Sequence, residues 1–149
     1  LFGTFTPNST LTDPLAEIVA GADQGVETVA IYARNDLFPL AIAREMETSA
    51  GNEGFEVISF DEFAIGTMDH ASALTLMRQR QPDWVFVTGY INDLILVRKQ
   101  MSELGITPKV LTMIAGPAYR EFIEASGPLA ENVSSAAFRR WKRRMGACP

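Results

Sequence analysis

The sequence contains little of the residue chemistry that builds covalent or metal-held sites. Its single cysteine, Cys148, lies next to the C-terminal residue, so an internal disulfide is excluded. Its single histidine, His70, excludes a zinc site made of several histidines. We predict that His70, which lies beside Asp69 at a helix start, is an ordinary surface residue.

Glycine-rich phosphate loops and nucleophile motifs are also missing. Thr88-Gly89-Tyr90 and Ala115-Gly116-Pro117 each offer one glycine, which does not support binding of a dinucleotide or of nucleotide phosphates. No serine lies in a nucleophile-elbow context. We therefore expect no cofactor and no enzyme activity, and a Rossmann-like enzyme is only a secondary alternative.

Basic residues are few outside the C-terminus. Five of the 13 Lys and Arg residues fall in the last eleven positions, so residues 1–138 carry eight positive charges against 18 negative ones. An acidic body argues against a nucleic-acid partner, because such a surface needs basic residues to replace counterions. No apolar run reaches the roughly 18 residues that a membrane helix needs.

Short apolar runs alternate with segments of helical periodicity along the 149 residues, a length typical of one domain. Strands joined by helical crossovers run parallel, and helices cover both faces of their sheet. The sequence therefore predicts an α/β fold with three layers, α/β/α, and a mainly parallel sheet. The predicted strands are residues 28–32, 55–60, 84–87 and 110–114, and residues 133–138 are a further candidate.

The helix boundaries follow from caps and breakers. Thr12 ahead of Asp13 and Pro14 predicts the first helix start, and Asn92 or Asp93 is a candidate cap for the helix after the third strand. Pro117 suits the first turn of the last helix. Ile18 in the first helix is predicted to face inward, and Leu76 is a further candidate in the third. The last helix is predicted to carry Tyr119, Phe122 and Ile123.

The loops at the carboxyl ends of the strands are the candidate ligand site. In open α/β sheets these loops converge on one crevice, and here they carry aromatic, small and hydroxyl residues. Such residues suit binding of a small organic molecule better than they suit chemistry. The alternative is that Phe38 and Tyr90 only fill the rim of the sheet.

Four segments resemble a known family: TVAIYARNDLF, GFEVISFDEFAIGTMDHASALTLMRQRQPDWVFVTGY, LVRKQMSELGI and GPAYREFIEASGPLAENV. Over residues 1–136 the chain resembles the second lobe of the periplasmic substrate-binding proteins of branched-chain amino acid ABC transporters. Its most specific parts are residues 66–69, the Pro82-Asp83-x-Val85 strand start and Gly89-Tyr90. The resemblance implies two α/β lobes that close on a ligand and deliver it to a membrane permease.

The resemblance also implies site residues. Phe38 matches the aromatic residue that faces the ligand, where the family often has Tyr, and Tyr90 follows Gly89 at the exit of the third strand. Ala115 stands where the family has the carboxylate that pairs with the ligand ammonium, and Asp36 is the candidate replacement. Without that carboxylate a buried ammonium is uncompensated, so an organic acid, an aromatic acid or an amide competes with an amino acid as the ligand.

The resemblance divides the chain into three parts. Residues 1–12 are expected to form a crossover segment from a preceding first lobe, residues 13–138 the ligand-binding lobe, and residues 139–149 an atypical basic tail. Because the chain begins with Leu1, we expect a fragment or a processed product whose signal peptide has been removed. For the tail we favour a reading-frame change, an early stop or an artefact of the expressed sequence over a functional basic segment.

The expected function is the solute-binding component of an ABC transporter, in the periplasm or outside the cell, with anchoring as a lipoprotein as an option. A ligand sensor or regulatory receptor of the same architecture is the main alternative. The expected partners are a small-molecule ligand and an ABC permease in the membrane. An isolated lobe would also expose apolar surface that favours self-association.

Overall fold

The computed structural model describes residues 7–22 and 24–136. Within them, helices and strands alternate along the chain as the sequence predicted. The elements are α1 (Ser9–Gly21), β1 (Thr28–Arg34), α2 (Leu37–Asn52), β2 (Glu56–Phe63), α3 (Ala71–Arg80), β3 (Trp84–Thr88), α4 (Ile91–Glu103), β4 (Val110–Ile114), α5 (Arg120–Ser126) and a short 3-10 helix (Gly127–Ala130).

The four strands form one parallel sheet in the order β2-β1-β3-β4. The predicted three-layer α/β/α fold is confirmed. Residues of β1 and β3 are almost all buried, since β1 and β3 lie inside the sheet and are covered on both faces. β2 lies at an edge and is less buried, as its alternating sequence predicted.

Alternate side chains of the strands enter two separate cores. One core packs α1 and α2 against one face of the sheet, and includes Val29, Ile31 and Trp84. The other packs α3, α4 and α5 against the opposite face, and includes Ala30, Tyr32 and Val85. The period of two along each strand thus supplies both layers of helices with apolar contacts.

The first helix begins earlier than predicted. It starts at Ser9 rather than near Pro14, because Leu11 extends the buried stripe of Leu15 and Val19 at a spacing of four residues. This stripe turns Ile18 outward, where it is 68% exposed, so its predicted burial is wrong. The candidate burial of Leu76 in α3 is wrong for the same reason, since Leu76 lies off the buried stripe.

Three other boundaries differ from the prediction. β2 continues to Phe63 because its partner β1 continues to Arg34, with which Phe63 is in register. α4 begins at Ile91, with Tyr90 rather than Asn92 or Asp93 at the N-cap position. α5 begins at Arg120, so Pro117 lies in the preceding turn and not in the helix.

The segment after the 3-10 helix meets the free edge of β4 at one point. Ser134 forms a single parallel bridge with Thr112, and the main-chain N–H of Met113 donates to the carbonyl oxygen of Ser134 at 3.0 Å. The predicted strand over residues 133–138 is therefore reduced to one bridge within the described part of the chain, and residues 137 and 138 lie outside it. Helices in the described residues fall short of the length and apolarity that crossing a membrane requires.

Candidate functional site

A cleft lies at the carboxyl edge of the sheet, where the loops after β1, β3 and β4 come together. Its volume is about 470 Å³, which is enough for a small organic ligand. Three of the residues singled out from the sequence, Phe38, Tyr90 and Ala115, line it together. The other lining residues are Ile91, Asn92, Tyr119 and Glu121.

The apolar walls of the cleft are aromatic rings held at helix N-termini. Phe38 is the second residue of α2, and Tyr90 and Tyr119 occupy the N-cap positions of α4 and α5. The three residues are 42%, 44% and 51% exposed, so about half of each side chain is free for contact with another molecule.

Tyr119 was missed as a site residue. The last helix was predicted to carry Tyr119, whereas the helix begins one residue after it. Its place three residues after Gly116, in the loop that leaves β4, was a usable signal, because side chains in such loops face the crevice.

Gly89 and Asp36 lie behind the cleft and are not among its lining residues. A Cβ atom on Gly89 would meet the side chains of Asp93 and Phe63 at 3.4 Å, so this turn is closely packed. Asp36 caps α2, since its Oδ1 accepts the main-chain N–H of Leu37 at 2.8 Å. Both residues support the loops that carry the aromatic walls.

The loop after β4 is tightly folded at the floor of the cleft. Ala115 has a φ of 71°, a left-handed conformation that is strained for a residue with a side chain. A Cβ atom on Gly116 would lie 2.7 Å from Cδ1 of Leu94 and 3.0 Å from Cδ2 of Phe122. Glycine is thus needed at position 116 for close approach, and Ala115 offers the cleft a methyl group without charge.

A charged cluster lies beside the aromatic walls. The guanidinium of Arg34 pairs with Asp93 at 2.8 Å and with Asp36 at 3.6 Å, and it stacks 4.7 Å from the centre of the Tyr90 ring. Oδ2 of Asp93 also accepts the main-chain N–H of Tyr90 at 3.0 Å. The hydrogen bond from Arg34 to Asp93 raises the pKa of Arg34, so the guanidinium stays charged.

His70 is buried, contrary to the prediction of a surface residue. Only 1% of it is exposed, and its Nδ1 lies 2.8 Å from the hydroxyl oxygen of Tyr32. The loop between β2 and α3 folds the ring edge-on against Phe63, with 4.9 Å between ring centroids. The spacing of His70 from Leu74 and Met77, four and seven residues, was the signal for an inward face.

Burial shifts the pKa values of both His70 and Tyr32. It lowers the pKa of His70, and the charges of Asp93 and Asp69 oppose this only in part. Burial also raises the pKa of Tyr32 to about 12, and the charge of Asp61 adds to that effect. Both side chains are therefore neutral near pH 7, as suits a pair buried beneath an aromatic cluster.

The comparison with known families identifies the family to which the chain belongs. Residues 1–146 match the family model described as periplasmic binding protein. This chain belongs to the periplasmic binding protein family. Members of this family and the solved relatives are binding and transport receptors rather than enzymes.

Solved periplasmic binding proteins share the fold at low identity. An extracellular ligand-binding receptor from Rhodopseudomonas palustris HaA2 matches with a TM-score of 0.76 and 19% identity, over 85% of this chain and 34% of its own. LivJ, a branched-chain amino acid transporter substrate-binding protein from Streptococcus pneumoniae in complex with isoleucine, matches with a TM-score of 0.68 and 21% identity, over 86% and 36%. The leucine-binding protein LivK from Thermotoga maritima matches with a TM-score of 0.68 and 20% identity, over 82% and 34%.

The chain thus spans about one third of the length of these relatives. That share is the size of a single lobe of a periplasmic binding protein, as the resemblance of the sequence implied. The cleft described above lies at the carboxyl edge of the lobe's sheet, which in α/β folds of this kind is the edge where ligands bind.

Proposed function

We propose that this chain is a ligand-binding lobe of the solute-binding component of an ABC transporter, which captures a small amino-acid-like or organic-acid molecule between two lobes. The observation that carries this proposal is the cleft lined by Phe38, Tyr90 and Ala115. The half-exposed rings offer apolar contact area, and the Tyr90 hydroxyl can also donate one hydrogen bond.

The charges around the cleft bear on the class of ligand. Ala115 supplies no carboxylate, and Asp36 is engaged as the cap of α2 and as a partner of Arg34. Glu121 is the acidic side chain among the lining residues, at the first turn of α5. We propose that ligands with a free ammonium bind worse than the corresponding keto acids or aromatic acids, unless Asp36 or the lining residue Glu121 takes the role of ammonium partner.

A calorimetric screen tests this proposal on the full-length parent protein. The ligands are leucine, its keto acid and simple aromatic acids, and we expect the acids to bind more tightly than leucine. No heat from any of these ligands would contradict the proposed function. Tight leucine binding that survives Asp36→Asn would show that Ala115 does not exclude the ammonium.

The transport role carries two further proposals. The partner is an ABC permease in the membrane. The protein is located in the periplasm or at the outer face of the cell, where a lipid anchor is one way to hold it at the membrane. Membership of the periplasmic binding protein family supports this location. The parent open reading frame is the direct test, since a secretory or lipoprotein signal and a preceding lobe are expected there, and their replacement by a regulatory domain would favour a ligand sensor.

A further inference from the structure

Arg34 is the one side chain in the described cluster that contacts the starts of both α2 and α4. It is the last residue of β1, an inner strand of the sheet, and it is in register with Phe63 of β2. Its guanidinium reaches Asp36, which caps α2, and Asp93, in the first turn of α4. Two of the three aromatic walls, Phe38 and Tyr90, belong to these same two helix starts.

We propose that Arg34 is a positioning residue that clamps these two aromatic walls of the cleft. It acts through Asp36 on the side of Phe38, and through Asp93 and direct ring stacking on the side of Tyr90. This inference rests on the proposed ligand site. It assigns to Arg34 a role in ligand affinity without contact between Arg34 and the ligand.

Several contacts together fix the position of Tyr90 relative to Arg34. Asp93 binds the guanidinium of Arg34 at 2.8 Å and the main-chain N–H of Tyr90 at 3.0 Å, so one carboxylate fixes both groups. The guanidinium then lies 4.7 Å from the ring centroid of Tyr90, within the range of a cation–π contact. The half-exposed ring is thereby held on one side by a charged plane, which leaves its other face for a ligand.

The charge of Arg34 is balanced within the protein by two carboxylates, and its buried Nε makes no hydrogen bond to the residues that the structure describes. Its side chain is only 16% exposed, and that of Asp93 only 11%, so this pair is shielded from water far more than a surface ion pair. Two carboxylates face one guanidinium, so the cluster has no positive charge left for the anion of a ligand. This distribution favours positioning over direct recognition of a carboxylate.

Arginine can make contacts at this position that lysine cannot make. Its planar guanidinium stacks on a ring while its edge donates to carboxylates, whereas an ammonium is a compact and strongly hydrated charge. We therefore expect Arg34→Lys to retain the charge and part of the contact with Asp93, and to lose the stacking on Tyr90.

The test uses fluorine NMR of the chain labelled with 3-fluorotyrosine, which gives one signal for each of its three tyrosines. The Tyr90 signal is assigned by its loss in Tyr90→Phe. In Arg34→Met we expect this signal to sharpen and move toward that of free fluorotyrosine, because the ring is released. Arg34→Lys should give an intermediate shift, and Asp93→Asn, which retains an oxygen acceptor for the N–H of Tyr90, serves if Arg34→Met does not fold.

The chain offers a matched control. Arg44 also lies over an aromatic ring, 5.6 Å from the centroid of Phe60, and pairs with Glu62 at 3.5 Å, on the outer side of α2. Arg44→Met removes the same chemical groups away from the cleft. It should leave the Tyr90 signal unchanged.

Binding by the full-length parent protein gives the second arm, with phenylacetate and phenylacetamide as probes. We expect Arg34→Met to weaken the affinity for whichever probe binds by about tenfold. Arg44→Met should weaken the same affinity by less than twofold. The inference is overturned if the Tyr90 signal is the same in Arg34→Met and in the unmodified chain. It is also overturned if only phenylacetate loses affinity, since Arg34 would then bind the carboxylate directly.

The two arms separate this inference from the proposed function. A shifted Tyr90 signal in the labelled chain, together with a parent protein that binds neither probe, would support the clamp and count against the proposed ligands. Normal binding of a probe that is unaffected by Arg34→Met would support the proposed function and reject the clamp.

Discussion

Asp83 is expected to stabilise the lobe through a charged network at the amino edge of the sheet. Its Oδ2 accepts the main-chain N–H groups of Glu27 and Thr28 at 3.0 and 3.3 Å, and its Oδ1 pairs with Lys109 at 2.8 Å. The hydroxyl of Thr28 accepts the main-chain N–H of Asp83 in return, at 3.0 Å. One carboxylate thus joins the starts of β1, β3 and β4.

The size of the effect follows from the titration of Asp83. The hydrogen bond from Lys109, followed by that from Glu27, lowers the pKa of Asp83 from 3.8 to about 2. A difference of that size between folded and unfolded states corresponds to roughly 2.5 kcal/mol, which solvent screening reduces to about 1–2 kcal/mol for a partly exposed pair. Because the folded-state pKa is the lower one, this contribution is complete above pH 4 and is lost as the pH falls toward 2.

Urea unfolding followed by circular dichroism measures this contribution. Asp83→Asn should lower the free energy of unfolding by about 1–2 kcal/mol at pH 7, and the difference from the unmodified chain should shrink steadily between pH 4 and pH 2.5. Asp61→Asn is the control, because its ion pair with Arg80 at 3.7 Å is much more exposed. A loss that is equal at pH 7 and pH 2.5, or equal in the two variants, would refute the reasoning.

Three further predictions concern other parts of the lobe. Because the pKa of buried His70 is lowered, stability should fall as the pH drops below about 6.5, and urea midpoints of His70→Gln should show a flatter pH profile there. Gly116→Ala should lower the free energy of unfolding by about 1–3 kcal/mol, because the new methyl group clashes with Leu94. Gly51→Ala is the control: its methyl group meets open space inside a helix, so this variant should be neutral or more stable by ~0.5–1 kcal/mol. The exposed apolar residues, among them Leu37 at 88%, should drive self-association of the isolated lobe, and a clean monomer at micromolar concentration in sedimentation would contradict this.

The parallel sheet was predictable because its strands are buried on both faces. Runs such as Trp84 to Val87 must then be almost entirely apolar, and this pattern is visible without knowledge of the partner strands. Strand ends were less predictable. The extension of β2 to Phe63 depends on its register with Arg34, and register is a property of the pair rather than of either segment.

The cleft was predictable in outline because the carboxyl ends of parallel strands share one edge. Phe38, Tyr90 and Ala115 lie at such ends, and they line one cleft. The contacts of Arg34 with Asp36 and Asp93 were not predictable, because they join residues up to 59 positions apart through side-chain rotamers. The burial of His70 was indicated only by its spacing from Leu74 and Met77, since its hydrogen-bond partner, Tyr32, comes from another element.

The most direct test of the ligand site is the affinity of the full-length parent protein after Tyr90→Ala. The ligand is whichever of leucine, its keto acid and the aromatic acids binds most tightly, and Leu37→Ala removes an exposed apolar side chain outside the cleft lining as the control. We predict that calorimetry will show a loss of ~2 kcal/mol or more for Tyr90→Ala, with a much smaller change in the free energy of unfolding. Unchanged affinity in Tyr90→Ala, or an equal loss in Leu37→Ala, would contradict the assignment of this cleft as the ligand site.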